Sequence, residues 1–98
     1  MNMQAMLKQA QKLQKDMMNT KKEIDEKVFT GKSSIVSVEV MGNKKIKSVK
    51  ITEEKLEKED IELLEDMIVV AINDAFNQID SETEAKMGKY AQGMPGLF

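Results

Sequence analysis

No glycine or proline interrupts the chain before Gly31, and within that span the apolar residues follow a helical repeat. Two sets recur at seven-residue intervals: Met3, Ala10, Met17 and Ile24, and between them Met6, Leu13 and Thr20. This spacing is typical of the a and d positions of a coiled coil, and it predicts a helix over residues 2–27. We call this line of residues the seam.

Lysines occupy the opposite side of the same predicted helix. Lys8, Lys15 and Lys22 fall on the outermost position of the repeat and Lys12 flanks them. We call these four residues the lysine stripe. The two faces leave two uses open, because the seam suits another helix and the stripe suits a negatively charged partner.

Charge is distributed unevenly along the chain. Residues 1–22 and residues 31–50 each carry a net charge of +4, whereas residues 51–98 carry −8, although the whole chain carries only −2. This asymmetry predicts a basic face and an acidic face. All fifteen basic residues are lysine. Since lysine attracts phosphate as a point charge and lacks the bidentate fork of arginine, the composition favours backbone contacts over base-specific readout of nucleic acid.

A small antiparallel sheet is expected after the first helix. The segment "VFTGKSS" predicts a short edge strand and a loop, and "VSVEVM" alternates so that Val36, Val38 and Val40 share one face. The lysine-rich segment "KIKSVKI" is predicted to pair with it as a hairpin. The pair Gly42-Asn43 is expected to supply the positive φ angles of the turn, and both a two-residue loop and a three-residue bulged loop fit.

Thr52 is a candidate N-cap for a short helical turn after the hairpin, and the remaining chain is predicted to be helical from Ile61 with Asp60 as its candidate N-cap. Apolar residues nearly encircle the segment "MIVVAI", which predicts burial against the sheet and against a second subunit through Ile68 and Ile72. Ser81 and Gly88 are possible interruptions. Residues 92–98 are expected to form a tail that is either flexible or docked, with Met94, Leu97 and Phe98 as its apolar contacts.

Several functional classes are disfavoured by composition. The chain has neither histidine nor cysteine, so we expect no catalytic residues, no metal site and no cofactor. The segment "TGKSS" lacks the upstream glycine of a phosphate-binding loop, and the acidic residues between Glu53 and Asp66 are expected to form a solvated face. Neither an enzyme nor a small-molecule substrate is expected. No apolar run reaches membrane-spanning length, so we expect no membrane partner and a cytoplasmic location.

Four segments in order resemble the YbaB/EbfC family of bacterial nucleoid-associated proteins: "MLKQAQKLQKDM", "VSVEVMGNKKIKSVKI", "LLEDMIVVAINDA" and "GMPGLF". The resemblance covers essentially the whole chain as a single domain. It implies an α+β fold with a long N-terminal helix, a three-stranded antiparallel sheet and C-terminal helices. It also implies a homodimer that binds DNA with tweezer-like helical arms.

The resemblance and the charge pattern together give candidate residues. For DNA binding, the matched arm motif contributes Lys8, Gln9, Lys12 and Lys15, and the charge pattern adds Lys21, Lys22, Lys44, Lys45 and Lys47. For a dimer interface, the candidates are Leu64, Ile68, Ala71, Ile72 and Ala75. Gly42 matches the glycine of the family's hairpin turn. The family often has a second glycine where this chain has Lys44, and arginine on the arms where this chain has none.

The leading hypothesis is therefore a nucleoid-associated protein that binds double-stranded DNA as a homodimer, mainly through contacts between lysine and phosphate, with a role in nucleoid organisation and gene regulation. The alternative is a helical interaction module, similar to a holdase, that grips another protein with the methionine residues of its arms. Substituting glutamate for Lys8, Lys12 and Lys15 should abolish DNA binding but leave capture of a protein largely intact, which discriminates between the two.

Overall fold

The computed structural model describes residues 2–93 and has an α+β fold. Helix α1 spans Met3–Glu26, and three strands follow, β1 (Val28–Ser33), β2 (Val36–Met41) and β3 (Ile46–Ile51). A 3₁₀ turn at Lys58–Asp60 leads directly into helix α2, Ile61–Gly93. The predicted architecture is confirmed, with one long helix in place of several C-terminal helices.

Helix α1 begins and ends within one residue of the predicted bounds. The side chain of Asn2 caps it by accepting a hydrogen bond from the backbone N–H of Gln4 at 3.0 Å. Lys27 then adopts an extended backbone, with φ −73° and ψ 143°, which ends the helix and starts the chain toward β1. The β-branched and aromatic residues that follow favour the strand.

The three strands form an antiparallel sheet in the order β1-β2-β3. Val36, Val38 and Val40 are buried on one face, as their alternation predicts. Helix α2 packs across β1 and β2 on this face, and Gly31 makes that approach possible, because a methyl group there would overlap the backbone of α2 at Ala71 and Ala75.

Residues 42–45 connect β2 to β3, and a backbone hydrogen bond of 2.8 Å from the N–H of Met41 to the carbonyl of Lys45 closes a loop of three residues, 42–44. Positive φ occurs at Lys44, at 68°, and not at Gly42 or Asn43, so the predicted source of the turn conformation was wrong. A left-handed residue after a type I turn is the usual geometry of such a loop. Lys44 takes the position where the family often has glycine.

Helix α2 is continuous, and neither Ser81 nor Gly88 interrupts it. Neither predicted N-cap has that role. The hydroxyl of Thr52 donates to the carbonyl of Ile35 at 3.1 Å and fastens the end of β3. Asp60 lies in the 3₁₀ turn, where its carboxylate accepts from the N–H of Glu57 at 3.1 Å.

Side chains of α2 also cover the free edge of β1. The carboxylate of Asp74 accepts from the backbone N–H of Lys32 at 3.0 Å, and the amide of Gln78 donates to the carbonyl of Thr30 at 2.8 Å. These bonds satisfy groups that would otherwise form an open sheet edge. These two hydrogen bonds hold α2 alongside β1. They therefore also help to set where α2 contacts α1.

The molecule is elongated, with extents of 71 × 19 × 14 Å and a radius of gyration of 19.4 Å. A compact domain of this length would have a radius of gyration of about 13 Å. The difference reflects the two long helices, about 36 Å for the 24 residues of α1 and about 50 Å for the 33 residues of α2. Residues 2–16, at the start of the chain, are all exposed. We call residues 2–16 the arm.

Candidate nucleic-acid interface

The arm projects because only the C-terminal third of α1 is packed. Ile24 forms a buried cluster with Met87 and Tyr90 of α2, and Met17 packs against it. The hydroxyl groups of Thr20 and Tyr90 lie 3.5 Å apart. As residue numbers rise along α2 they fall along α1, so the two helices are antiparallel at this contact, which we call the root.

The hairpin turn between β2 and β3 holds the root from the other side. The N–H of Gly42 donates to the carbonyl of Lys27 at 2.9 Å, and the N–H of Asn43 donates to the carbonyl of Asp25 at 3.3 Å. A methyl group at Gly42 would overlap the backbone of Ile24. Glycine is thus required here for close approach to the end of α1, which explains the turn glycine by packing and not by its φ angle.

The lysine stripe lies on the exposed side of α1, opposite the seam. All four of its lysines are exposed, and the ion pairs formed within residues 2–93 involve none of them. At about 100° per residue, Gln9 lies nearer the seam than the stripe. It lines a shallow surface with Met6, Ala10 and Leu13, and Lys12 and Asp16 border the same surface. The arm therefore presents Lys8 and Lys15 on one side and apolar and amide groups on the other, with Lys12 at the border between them.

Lys21 and Lys44 differ from the stripe because each has an acidic partner. The ammonium of Lys21 lies 3.3 Å from the carboxylate of Asp25, and that of Lys44 lies 3.1 Å from Asp80. Lys44 also lies 5.3 Å from the centre of the Phe76 ring. Both lysines line the cleft where α1, the hairpin turn and α2 meet, so part of their charge serves to join these elements.

Lys45, Lys47 and Lys50 are exposed on the hairpin. A register shift between Glu39 and Val40 leaves Lys47 as the extra residue of a bulge, since Glu39 pairs with Ser48 and Val40 with Ile46. Such a bulge changes the direction of neighbouring side chains. Because the turn contacts the end of α1, Lys45 lies near the root, whereas Lys50, which pairs with Ser37, lies toward the other end of β3.

Comparison with known proteins identifies the family of the chain. The sequence model of the YbaB/EbfC DNA-binding family matches residues 1–94. The chain belongs to this family. A "Nucleoid-associated protein" from Lactococcus lactis subsp. cremoris (strain MG1363) is 47% identical over 97 residues, which cover 97% of this chain and 98% of that protein. Another from Enterococcus faecalis (strain ATCC 700802 / V583) is 41% identical, with 98% and 94% covered.

A solved structure shares the fold. The crystal structure of the uncharacterized protein HP0035 from Helicobacter pylori matches with a TM-score of 0.69 at 20% identity, covering 98% of this chain and 99% of that chain.

The YbaB/EbfC family is a family of DNA-binding proteins and not of enzymes, so the chain is a nucleoid-associated DNA-binding protein by family. Residues 2–93 contain no helix with the length and hydropathy needed to cross a membrane.

Another ion-pair group in this YbaB/EbfC chain lies away from the arm. The ammonium of Lys27 lies 2.6 Å from the carboxylate of Glu82, and that of Lys86 lies 3.6 Å from it. The hydrogen bond from Lys27, followed by the positive charges of both lysines, holds the pKa of Glu82 below its ordinary value against the opposing effect of burial. The group joins the start of β1 to α2.

The acidic cluster from Glu53 to Asp66 lies around the start of α2, whereas α2 contacts α1 near its other end. The acidic residues from Glu53 to Asp66 are exposed, apart from the half-buried Asp60. Within residues 2–93, no group of three or more acidic side chains is arranged to hold a metal ion. Because this surface would repel DNA phosphates, it limits where a duplex can approach.

A surface that sequence reasoning missed lies on β3. Ile46, Val49 and Ile51 pair with Val40, Val38 and Val36, so they share the face that α2 covers on β1 and β2. Helix α2 does not reach them, and they remain 47%, 45% and 38% exposed. The alternation of β3 alone gives no sign of this, because exposure depends on where α2 crosses the sheet.

The predicted interface residues divide into two groups. Leu64, Ile68 and Ile72 are half-buried and keep some surface on the flank of α2. Ala71 and Ala75 are 0% exposed, because they pack against Gly31 in the core of their own chain. That placement leaves the two alanines no surface to contact a partner. The apolar flank of α2 and the bare face of β3 are the surfaces available for one.

Proposed function

We propose that the chain binds duplex DNA as a homodimer, mainly through contacts between lysines and phosphates, and that it contributes to nucleoid organisation and gene regulation. The observation that carries the proposal is the unpaired lysine stripe, which has three of its four lysines on the projecting arm. Family membership and the names of its relatives support a location in the nucleoid.

The spacing of the stripe suits a polyanion. Lys8 and Lys22 are separated by 14 residues, which correspond to about 21 Å along a helix. Duplex DNA carries one negative charge per about 1.7 Å of its axis, so several phosphates lie within this span. Each lysine can neutralise one phosphate and release a counterion. Since lysine alone gives little discrimination between bases, sequence preference would come mainly from the shape of the duplex.

A homodimer would double the cationic surface and cover the bare face of β3. Ile46, Val49 and Ile51 lie beside the flank of α2, where Val69 is 56% exposed. Exposed apolar surface on this scale marks an interface in soluble proteins. In a dimer with twofold symmetry the same surface on both copies would pack against itself, and each copy would contribute one arm.

Binding of a fluorescent duplex, followed by anisotropy, tests the central claim. At ~50 mM salt, lysine-to-phosphate contacts are strong, and we expect saturable binding that weakens steeply as salt rises. A substitution of glutamate for Lys8, Lys12 and Lys15 should abolish it. Lack of binding to any duplex at low salt would refute the proposal.

Sedimentation of a Val49→Asp variant tests the dimer. A buried charge without a partner is costly, so we expect a monomer with an intact fold. Lys50→Asp places the same side chain on the opposite face of β3 and should stay dimeric. Ile72→Glu should also dissociate the dimer, with some loss of stability because Ile72 packs on the core. If Val49→Asp remains dimeric, the interface lies elsewhere.

A further inference from the structure

We propose that the arm of one copy packs antiparallel against the arm of a second copy, seam to seam, and that this contact joins separate dimers. The seam of α1 is covered by α2 at the root and is bare on the arm. The contact between arms does not depend on DNA binding, whereas the joining of dimers rests on the proposed homodimer.

Exposure of the seam rises toward the tip of the arm. Ile24 is 3% exposed where α2 covers it, whereas Leu13 is 38%, Met6 is 49% and Met3 is 77% exposed. The seven-residue repeat continues unchanged from the covered part to the bare part. The bare part therefore keeps the pattern with which one helix packs on another.

The charges of the arm leave its seam open to a second arm. Lys8 and Lys15 lie on the side opposite the seam, and Lys12 lies at its border. The positions directly beside the seam hold no positive charge; they are Leu7, Gln9, Gln14 and Asp16. The axes of two packed helices lie about 8–10 Å apart, so stripes on the outer sides are separated by more than the Debye length of about 8 Å. Two arms packed by their seams therefore keep their lysines apart.

The end of α2 sets the register of the pair. Tyr90 lies beside Thr20, and α2, which runs antiparallel to α1, ends about one turn further along, at the level of Met17. In an antiparallel pair, each residue of one seam set faces a residue of the other set. The longest overlap that stays clear of α2 places Met3 of one copy against Leu13 of the other. A shift by one more heptad would place Met3 beside Thr20, where Tyr90 already lies.

This register gives four layers of complementary side chains. Met3 faces Leu13 of the second copy and Met6 faces its Ala10, and the twofold axis repeats both layers. A large side chain opposite a small one suits close packing. Asp16 falls beside the start of α1 of the second copy, whose first turn contains no acidic residue. A carboxylate is stabilising at that end of a helix.

The register also decides which copies pair. The centre of the overlap lies at the level of residue 8, so the Met17 residues of the two copies are about 27 Å apart along the arms, with the sheets beyond them. Two copies paired by their arms therefore cannot also touch through β3, and the contact joins different dimers. Parallel pairing in register is blocked, because each seam is covered at the root by its own α2.

Pairing would stabilise the arms and leave their lysines available. An isolated helix of about 15 residues is marginal in water, and residues 2–16 are all exposed. The seam of a second arm supplies the apolar contact that such a helix needs. Because the overlap is short, the contact is weaker than the β3 interface and forms at higher protein concentration. The two lysine stripes then face opposite sides of the pair, so linked dimers can hold two duplexes together.

Disulfide formation between two variants tests the register, since the natural chain has no cysteine. Met3→Cys and Leu13→Cys, mixed and oxidised without DNA, should form mainly the mixed disulfide, because these Cα atoms come within the distance of about 7 Å that a bridge needs. Met3→Cys mixed with Gln11→Cys is the control and should cross-link about tenfold more slowly, because Gln11 lies on the outer side of the arm. Equal rates for the two mixtures, or equally fast disulfides between two Met3→Cys chains, would overturn the proposal.

Sedimentation at rising protein concentration supplies a second readout. The natural chain should show an association step beyond the dimer, and the variant with Met6→Asp and Leu13→Asp should lose that step and keep the dimer. The control with Gln4→Asp and Gln11→Asp makes the same change in net charge, at the same spacing on the outer side of the arm, and should keep the step. Rising salt should leave the step in place, because the contact is apolar and the arms carry like charge, whereas DNA binding weakens.

Absence of a step beyond the dimer, or its loss in the control as well as in the seam variant, would overturn the proposal. Loss of the step as salt rises would also overturn it, because ion pairs and not the seam would then hold the copies together. Val49→Asp removes the β3 interface and leaves the arms unchanged, so failure of the proposed homodimer is read separately from failure of the arm contact.

Discussion

Substituting glutamine for Lys8, Lys12 and Lys15 removes three positive charges from the arm without touching the seam or the core. Glutamine has nearly the helix propensity of lysine, so α1 should persist. Each lysine that neutralises a phosphate changes the slope of log K against log salt by about −0.9. The slope should therefore become shallower by about 2.7 if one arm of a dimer engages the duplex, and by about 5.4 if both arms do.

The measurement is duplex anisotropy between ~50 and ~200 mM salt, where a slope difference of 2.7 makes the natural chain lose about 40-fold more affinity than the variant. A control with the same change in net charge carries glutamine at three exposed lysines away from the arm: Lys32, Lys55 and Lys58. We expect the control to keep nearly the natural slope. Equal slopes for the natural chain and the arm variant would refute the assignment of phosphate contacts to the stripe.

Three further predictions concern stability and are checked by urea unfolding. Gly42→Ala should lower the free energy of unfolding by about 2 kcal/mol, because its methyl group overlaps the backbone of α1. Gly88→Ala, where the methyl meets nothing within 4 Å, should raise it by about 1 kcal/mol. Since contact with Lys27 lowers the pKa of Glu82, the Glu82 carboxylate stabilises the fold above its ordinary pKa and loses this effect as pH falls through the lowered value. Glu82→Gln should therefore cost about 1 kcal/mol at neutral pH and little in acid, whereas Glu84→Gln should cost little at either.

Local sequence patterns were sufficient for most of the secondary structure. The seven-residue repeat located α1, and the alternation of Val36, Val38 and Val40 located the buried face of β2. Patterns failed where a residue responds to distant contacts. Gly42 was assigned a positive φ on its local preference, but its role is to let the turn approach α1, and Lys44 takes the left-handed conformation.

In the candidate nucleic-acid interface, some features likewise follow from local sequence and others depend on tertiary contacts. That Lys8 and Lys12 lie opposite the seam follows from helical periodicity, which needs no tertiary information. The pairing of Lys21 with Asp25 is a local contact, whereas that of Lys44 with Asp80 depends on how the hairpin meets α2. The sequence placed all of these lysines in one candidate site, because a charge pattern does not show which lysines form ion pairs with acidic residues.

The sequence by itself determined helix α1 with its two faces, the hairpin and the family, because each follows from the periodicity and the residue types along the chain. Tertiary structure decided which apolar residues are core and which remain surface. Ala71 and Ala75 are equivalent to interface residues in pattern, yet they are buried where Gly31 lets α2 approach β1. Val49 resembles a core residue but stays exposed, because α2 crosses only two of the three strands.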